Sequence, residues 1–348
     1  MSLTLPTPRT PDPMTAPPLR WGIIGTGWIA ERFVDAMHKH TRQRLVAVGS
    51  RTLERAQAFA STVGAERAYG SYEELVADKG VDIVYVATPH SEHLANALLA
   101  ISAGKPVLVE KAFTRNADEA LRVLEAAGSA GVAVMEAMWT RFLPHIDVVR
   151  QLLDIGALGE IESVFADHGQ WFAPDPSHRM FDPDKAGGAM LDLGVYPVSF
   201  THFVLGSPSR LSALGTKAFT GVDRQISATL EGYPGHENAQ AQVSTTLASL
   251  TPNIAFVSGD LATLEIPGTF YTPQKVRVFT RDGEEAFSEA PVIEAHEGLC
   301  FEAAHFATMV AEGRQQSDLM PWSETMAVME TMDALRYQVG ALLPGEEL

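Results

Sequence analysis

The 348-residue chain has one cysteine, Cys300. A single thiol excludes an intramolecular disulfide framework and any zinc or iron–sulfur site built from several cysteines, and it fits a reducing compartment. Positive charge is also scarce: 26 Lys and Arg stand against 43 Asp and Glu, a formal net charge of −17. That balance excludes a broad cationic face for nucleic acid or anionic lipid. No stretch approaches the ~20 consecutive apolar residues that cross a bilayer. What is present is ordinary globular composition, 46% hydrophobic and 20% charged. At ~150 residues per domain the length predicts two domains, each with its own core. The expectation is a soluble, cytoplasmic protein with no nucleic-acid or membrane partner.

Residues 1–18 hold six prolines and no apolar run that could act as a signal segment. Such a stretch is expected to be a disordered leader. From Leu19 onward, apolar runs alternate with helical patterns. Leu19–Gly25, Leu45–Gly49, Val81–Ala87, Val107–Glu110 and Val132–Ala137 read as strands. Trp28–His38, Leu53–Val63, Ser91–Ala103 and Asn116–Gly128 read as helices, and Ser71 with Glu74 forms a capping box for a short helix through Ala77. Apolar strands separated by helices predict βαβ units, so residues 19–138 are expected to form a doubly wound parallel α/β domain of the Rossmann type.

The first strand runs directly into Gly25-Thr26-Gly27-Trp28-Ile29-Ala30, a G-x-G-x-x-A that opens a helix. Gly25 permits a tight turn, Gly27 lets backbone approach a pyrophosphate, and Ala30 allows close helix–strand packing. A lone motif of this kind is only a turn; with a strand before it and βαβ units after it, dinucleotide binding is expected. At the end of the second strand an NAD site usually offers an acid to the ribose 2′-hydroxyl. Here Ser50 and Arg51 stand in that place, with Arg55 a turn later. A hydroxyl followed by guanidinium suits a 2′-phosphate, so NADP is favoured over NAD, against the plainer reading of a solvated arginine.

Residues 139–348 have a different texture. Pro144–Ile155 and two closing segments, Leu299–Glu312 and Trp322–Val339, read as helices, Gly169–Gly188 is rich in glycine and proline, and Ser209–Phe287 alternates like consecutive strands. Strands without intervening helices predict a mainly antiparallel sheet in an α+β domain. Two segments gather reactive groups. Glu110 and Lys111 end a parallel strand, where open α/β sheets bind ligands, although a surface lysine fits the same position. Asp192 and Tyr196 lie four apart, on one face of an expected helix preceded by Gly187 and Gly188. Moving a hydride from an alcohol carbon also requires taking its proton. Tyrosine can do so if a nearby ammonium stabilises the phenolate, which Lys111 would supply, leaving Asp192 to bond a substrate hydroxyl or hold the lysine.

Together GIIGTGWIA, VYVATPHSEH, EKAF, MEAMWTRFLPH, GGAMLDLGVYPV and the tail from Phe301 resemble the glucose–fructose oxidoreductase, inositol dehydrogenase and rhizopine-catabolism (Gfo/Idh/MocA) family. Within it the chain is most similar to the branch of dimeric dihydrodiol dehydrogenase and NADP-dependent D-xylose dehydrogenase. The resemblance implies a Rossmann domain followed by an open-faced, substrate-binding sheet domain that builds a homodimer. It makes Lys111 the lysine of a Glu-Lys-Pro motif, Tyr196 the acid/base and Asp192 the substrate-orienting acid. It also places Trp139 and Arg141 at nicotinamide and substrate, and the loop carrying Phe172 at the substrate pocket. One departure is Ala112, which replaces a proline and makes a cis bond at that point far more costly.

Thr88, Pro89, His90 and His93 follow the third strand; with no third ligand evident, the histidines are read as cofactor or helix-cap contacts rather than a metal site. The leading expectation is an NADP-dependent dehydrogenase acting on a sugar, cyclitol or trans-dihydrodiol. The alternatives are a sugar oxidoreductase that keeps its cofactor bound and a non-catalytic cofactor-sensing regulator.

Overall fold

The fold is that of a computed structural model, which describes residues 4–347. The chain divides into two compact units: Pro11–Phe142 with Ala295–Met326, and Leu143–Glu294 with the stretches ending at Thr10 and starting at Ala327.

The first unit is a six-stranded parallel sheet. In chain order it contains β1 (Arg20–Ile24), α1 (Trp28–His40), β2 (Arg44–Gly49), α2 (Leu53–Val63), β3 (Arg67–Tyr69), α3 (Tyr72–Ala77), β4 (Ile83–Val86), α4 (His90–Ser102), β5 (Val107–Glu110), α5 (Ala117–Ala130) and β6 (Val134–Ala137). The strand order is β3-β2-β1-β4-β5-β6. The chain winds one way from β1 and the other way from β4, so the crossover point of the sheet falls between those strands. Five of the six strands follow the apolar runs of the sequence; β3, three half-buried residues at the sheet edge, is additional. Under β1 the buried Trp21 ring packs on Phe33 and donates its indole N–H to Gln43 Oε1 at 2.9 Å.

Residues that the composition reads as a leader carry local structure. Asp12 caps a 3₁₀ turn over Pro13–Thr15 by accepting from the Met14 N–H at 2.9 Å, and Pro13 is buried. In the second unit, Arg9 pairs with Asp147 at 2.9 Å.

The second unit holds α6 (Pro144–Asp154), β7 (Ile161–Gly169), α7 (Val195–Leu205), β8 (Arg210–Lys217), β9 (Asp223–Tyr233), β10 (His236–Thr246), β11 (Ala255–Gly259), β12 (Ala262–Ile266), β13 (Arg277–Thr280) and β14 (Glu285–Phe287). Its eight strands are ordered β14-β13-β12-β11-β7-β10-β9-β8. All pairings are antiparallel except β10 with β7. Along β9 and β10 one face is apolar and buried (Ile226, Ala228, Leu230, Ala239, Ala241, Val243). The other face is polar and open, with Ser227, Gln240 and Gln242 exposed. The buried face receives α7, which is mostly apolar and buried on nearly every side. Two helices complete the chain, α8 (Leu299–Ala311) in the first unit and α9 (Trp322–Gln338). Among the described residues no helix is long and apolar enough to cross a membrane.

Candidate active site

The glycine turn sits at the crossover point, at the carboxyl end of β1. Gly25 has φ +112°, and a Cβ there would stand 2.4 Å from the Ala87 carbonyl oxygen, so only glycine fits. Gly27 is exposed, and a Cβ on it would meet nothing within 4 Å. It is the N-cap of α1, and no side chain caps that helix. By contrast α2, α3 and α5 are capped by Thr52, Ser71 and Asn116. Thr26, Trp28 and Ile29 therefore frame an open, electropositive helix end, the environment a pyrophosphate needs. At the end of β2, Ser50 is buried and Arg51 and Arg55 are exposed beside Tyr72. Among the described residues neither guanidinium has an ion-pair partner. The residues present thus fit a nicotinamide dinucleotide.

Lys111 follows β5 and is half-buried. Its backbone N–H donates to Glu110 Oε2 at 3.2 Å, while Glu110 Oε1 accepts from the Tyr85 hydroxyl. The peptide bond from Lys111 to Ala112 is cis. The two histidines are engaged with this segment. His90 Nε2 donates to the Lys111 carbonyl at 3.3 Å. His93, fully buried, sets Nδ1 against the Ala112 and Phe113 carbonyls at 3.0 and 3.2 Å, and Nε2 against the Thr88 carbonyl at 2.8 Å. Burial pushes its imidazole below the usual range, and the facing carbonyls pull the other way. Thr88 also accepts from Asn96 Nδ2 at 3.1 Å, and Pro89 begins α4 without a side-chain cap. Among the described residues no group of three or more His, Cys, Asp or Glu is arranged to hold a metal ion.

Beyond β6, Trp139 and Arg141 are both buried in a 3₁₀ turn, and Arg141 Nη2 pairs with Glu324 Oε1 at 2.5 Å. Sequence reasoning missed His296, whose ring lies parallel to Trp139 at 5.7 Å and edge-on to Trp28 at 4.9 Å. It missed the buried acids of this unit as well. Burial holds the Glu302 carboxyl well above the usual range, with Glu110 adding to the shift, and raises Glu136 to about 7.

In the second unit Asp192 and Tyr196 are both buried. The expected regular helix is interrupted there: Met190–Gly194 is a π-helical turn, and α7 starts only at Val195. The i→i+5 winding of such a turn alters the side-chain facing that a four-residue spacing implies. Gly187 and Gly188 approach protein rather than leaving room for a ligand. A Cβ on Gly187 would stand 2.5 Å from the Arg179 carbonyl oxygen, and on Gly188 (φ +126°) 2.1 Å from Asp223 Oδ1. Asp223, buried, accepts from the Met190 N–H at 2.6 Å. Arg179, which the sequence did not single out, binds Asp192 through both Nη atoms at 2.9 and 3.1 Å. Tyr196 stacks on Tyr271 at 4.6 Å and meets His168 at 5.4 Å. Phe172 packs on Met180, Phe181, Ala189, Leu193 and Leu247.

A doubly wound parallel sheet with an open glycine turn at its crossover defines a dinucleotide-binding α/β domain, followed here by a domain with a mainly antiparallel sheet. Residues 19–138 match the oxidoreductase family with an NAD-binding Rossmann fold, and residues 146–265 match the GFO/IDH/MocA C-terminal domain. The chain belongs to the Gfo/Idh/MocA family and is an NAD(P)-dependent oxidoreductase of that type. It is 34% identical over 337 residues to trans-1,2-dihydrobenzene-1,2-diol dehydrogenase from Sus scrofa, covering 94% of this chain and 99% of that one. It is also 34% identical to D-xylose 1-dehydrogenase (NADP(+)) from Hypocrea jecorina, over 94% of this chain and 93% of the other. Among solved structures, an aldose-aldose oxidoreductase from Caulobacter crescentus complexed with glycerol superposes with TM-score 0.82 at 25% identity, over 92% of this chain and 97% of that one. A 3-ketoreductase from Actinomadura kijaniata in complex with NADP superposes with TM-score 0.79 at 27% identity, over 93% and 98%.

Proposed function

We propose that this protein is an NADP-dependent dehydrogenase that oxidises a hydroxyl-bearing carbon of a sugar, cyclitol or trans-dihydrodiol. The observation that carries the reading is identity of about one third, over nearly the full length, to both a trans-dihydrodiol dehydrogenase and an NADP-dependent xylose dehydrogenase. The choice of NADP rests on Arg51 and Arg55 at the end of β2, where an NAD site would carry an acid.

In this reading Gly25, Thr26, Gly27, Trp28 and Ile29 bind the pyrophosphate, and Ser50, Arg51 and Arg55 bind the 2′-phosphate. Thr88, Pro89, His90, His93 and Glu110 shape the cofactor side of Lys111, and Trp139 and Arg141 border nicotinamide and substrate. Nicotinamide, when bound, supplies the hydride acceptor. Tyr196 takes the hydroxyl proton of the substrate as a phenolate stabilised by the Lys111 ammonium. Asp192 accepts a hydrogen bond from a substrate hydroxyl, and Phe172 lines the pocket. The open polar face of the eight-stranded sheet pairs with that of a second copy.

The test is nicotinamide reduction with NADP⁺ and NAD⁺ against aldoses, cyclitols and a trans-dihydrodiol, for the unsubstituted chain and Tyr196→Phe. The reading expects turnover, faster with NADP⁺, that collapses in the variant while cofactor affinity stays. Equal turnover in the variant removes Tyr196 from its role. The likeness to an aldose-aldose oxidoreductase favours a second reading, in which one sugar is oxidised and another reduced on a retained cofactor. Nucleotide that survives purification and dialysis supports it.

A further inference from the structure

The segment Ala295–Gly298 is a short 3₁₀ turn that precedes α8. It packs along α1, and its residues contact both ends of that helix. At one end Glu297 takes Lys39 and, at 2.7 Å, His40 Nε2. At the other, the His296 ring stands edge-on to Trp28 with an interplanar angle of 82°. The same imidazole lies parallel to Trp139 within 13°. Trp28 directly follows Gly27 at the open start of α1, and Trp139 lies two residues beyond the β6 end, so one histidine bridges two indoles at the carboxyl edge of the sheet. Ala295 holds φ +48°, the left-handed region that a non-glycine residue rarely occupies. Such conformations persist where the surrounding structure holds them and cluster at functional sites.

Among the described residues neither ring nitrogen of His296 has a hydrogen-bond partner. The ring is half-buried, and Trp28 beside it is 56% exposed, so this edge of the sandwich is open. Burial, with Arg32 adding to it, pushes the imidazole below its usual range. The ring is therefore neutral at neutral pH, with one N–H to donate and one nitrogen to accept.

We propose that His296 is a cofactor-contacting residue, donating a ring hydrogen bond to the nicotinamide-side phosphate or ribose of the dinucleotide while its ring sets the positions of Trp28 and Trp139. The proposal rests on the reading of Gly25–Gly27 as the pyrophosphate turn. It assigns a cofactor role to a residue that lies some 270 positions beyond the glycine motif, delivered by the turn before α8.

The test compares full-length wild type with His296→Phe, which keeps a ring between the indoles and removes both nitrogens, and with His296→Asn, which keeps a donor and removes the ring. Dissociation constants are measured calorimetrically for two matched pairs: NADP⁺ with 2′,5′-ADP, and NAD⁺ with 5′-AMP. Near-ultraviolet circular dichroism reports whether the indoles keep their environment. The expected result for His296→Phe is a wild-type aromatic spectrum and roughly tenfold weaker binding of the whole dinucleotide, the loss of one hydrogen bond to a charged group. The half-cofactor, which ends before the nicotinamide ribose, should bind within twofold of wild type. His296→Asn should alter the spectrum and weaken the dinucleotide as well. Wild-type affinity for the dinucleotide in His296→Phe overturns the proposal and leaves the glycine-turn reading standing. Equal weakening of dinucleotide and half-cofactor overturns it too, because the effect is then general to the unit. A wild-type chain that binds neither dinucleotide overturns both readings together.

Discussion

Arg179 grips Asp192 with a two-pronged fork, one guanidinium nitrogen on each carboxylate oxygen at 2.9 and 3.1 Å. The side chains differ in exposure, 51% for the arginine and 11% for the aspartate, so the pair holds a nearly buried acid from the solvent side. If Asp192 orients a substrate hydroxyl, the fork fixes which way its lone pairs face. Arg179→Ala is expected to lower kcat/KM by roughly tenfold, mainly through KM, a modest figure because the arginine is solvated. Arg179→Lys should recover only part, since an ammonium cannot fork. Adding Arg179→Ala to Asp192→Asn should cost little more than Asp192→Asn alone. Steady-state kinetics on the substrate found in the panel decides it, and unchanged constants in Arg179→Ala would show that the fork does not serve the site.

Arg51 and Arg55 sit at the end of β2 without an ion-pair partner among the described residues. Their proposed role is to read the 2′-phosphate. Arg51→Ala should weaken NADP⁺ by roughly tenfold and leave NAD⁺ within a factor of two, because only the former carries the group that the fork grips. Isothermal titration of both nucleotides measures the ratio. Parallel losses for NADP⁺ and NAD⁺ would sink this assignment.

How far the sequence revealed this arrangement depended on whether the signal was local. The β1 turn was legible because a continuous apolar run, two glycines and an amphipathic helix are adjacent, and each has a physical reason to be there. β3 was not, since Arg67–Tyr69 is too short to show a period and only half-buried. β7 was hidden by polar residues. Its Asp167 is buried but accepts from the Asn253 and Ile254 backbone N–H groups at 3.1 and 2.9 Å, partners that only the fold supplies. The acid at Asp192 was visible as a candidate, but its π-helical setting and its Arg179 partner, thirteen residues away across an irregular loop, have no periodicity to betray them. His296 lies far from the glycine motif, and no spacing rule joins them.

Glu136 gives a pH signature. It is buried at β6, and desolvation raises its carboxyl from 4.5 to about 7, against the opposing pull of Thr325 and Arg141. The folded state thus holds a proton that the unfolded chain releases above its own value near 4.5. Between those values the native state binds more protons, so stability falls as pH rises through the window, levelling off above about 7. The full cost is on the order of 3 kcal/mol. Glu136→Gln carries no such titration. Relative to wild type its melting temperature should therefore rise steadily from pH 5 to pH 7.5, which scanning calorimetry at several pH values would register. A constant difference across that range would mean that Glu136 does not titrate there.

Arg336 on α9 is fully buried and held at three points. Nη2 meets Asp333 Oδ1 at 2.7 Å, and the two Nη atoms reach Glu346 Oε1 and Oε2, each at 2.9 Å. Nη1 also donates to the Ala341 carbonyl at 3.1 Å. A guanidinium with no exposure must keep its acceptors, because an unmatched buried charge costs far more than a surface pair yields. Glu346→Ala is therefore expected to destabilise the chain by about 3 kcal/mol. The exposed pair of Arg314 with Glu312 serves as the control, where Arg314→Ala should cost less than about 1 kcal/mol. Replacing Arg336, Asp333 and Glu346 together by leucine should recover much of the loss, since no member of the charge cluster is then left behind. Urea unfolding midpoints for the three variants test the ordering. If Glu346→Ala unfolds with the midpoint of Arg314→Ala, the buried arginine does not depend on the C-terminal glutamate.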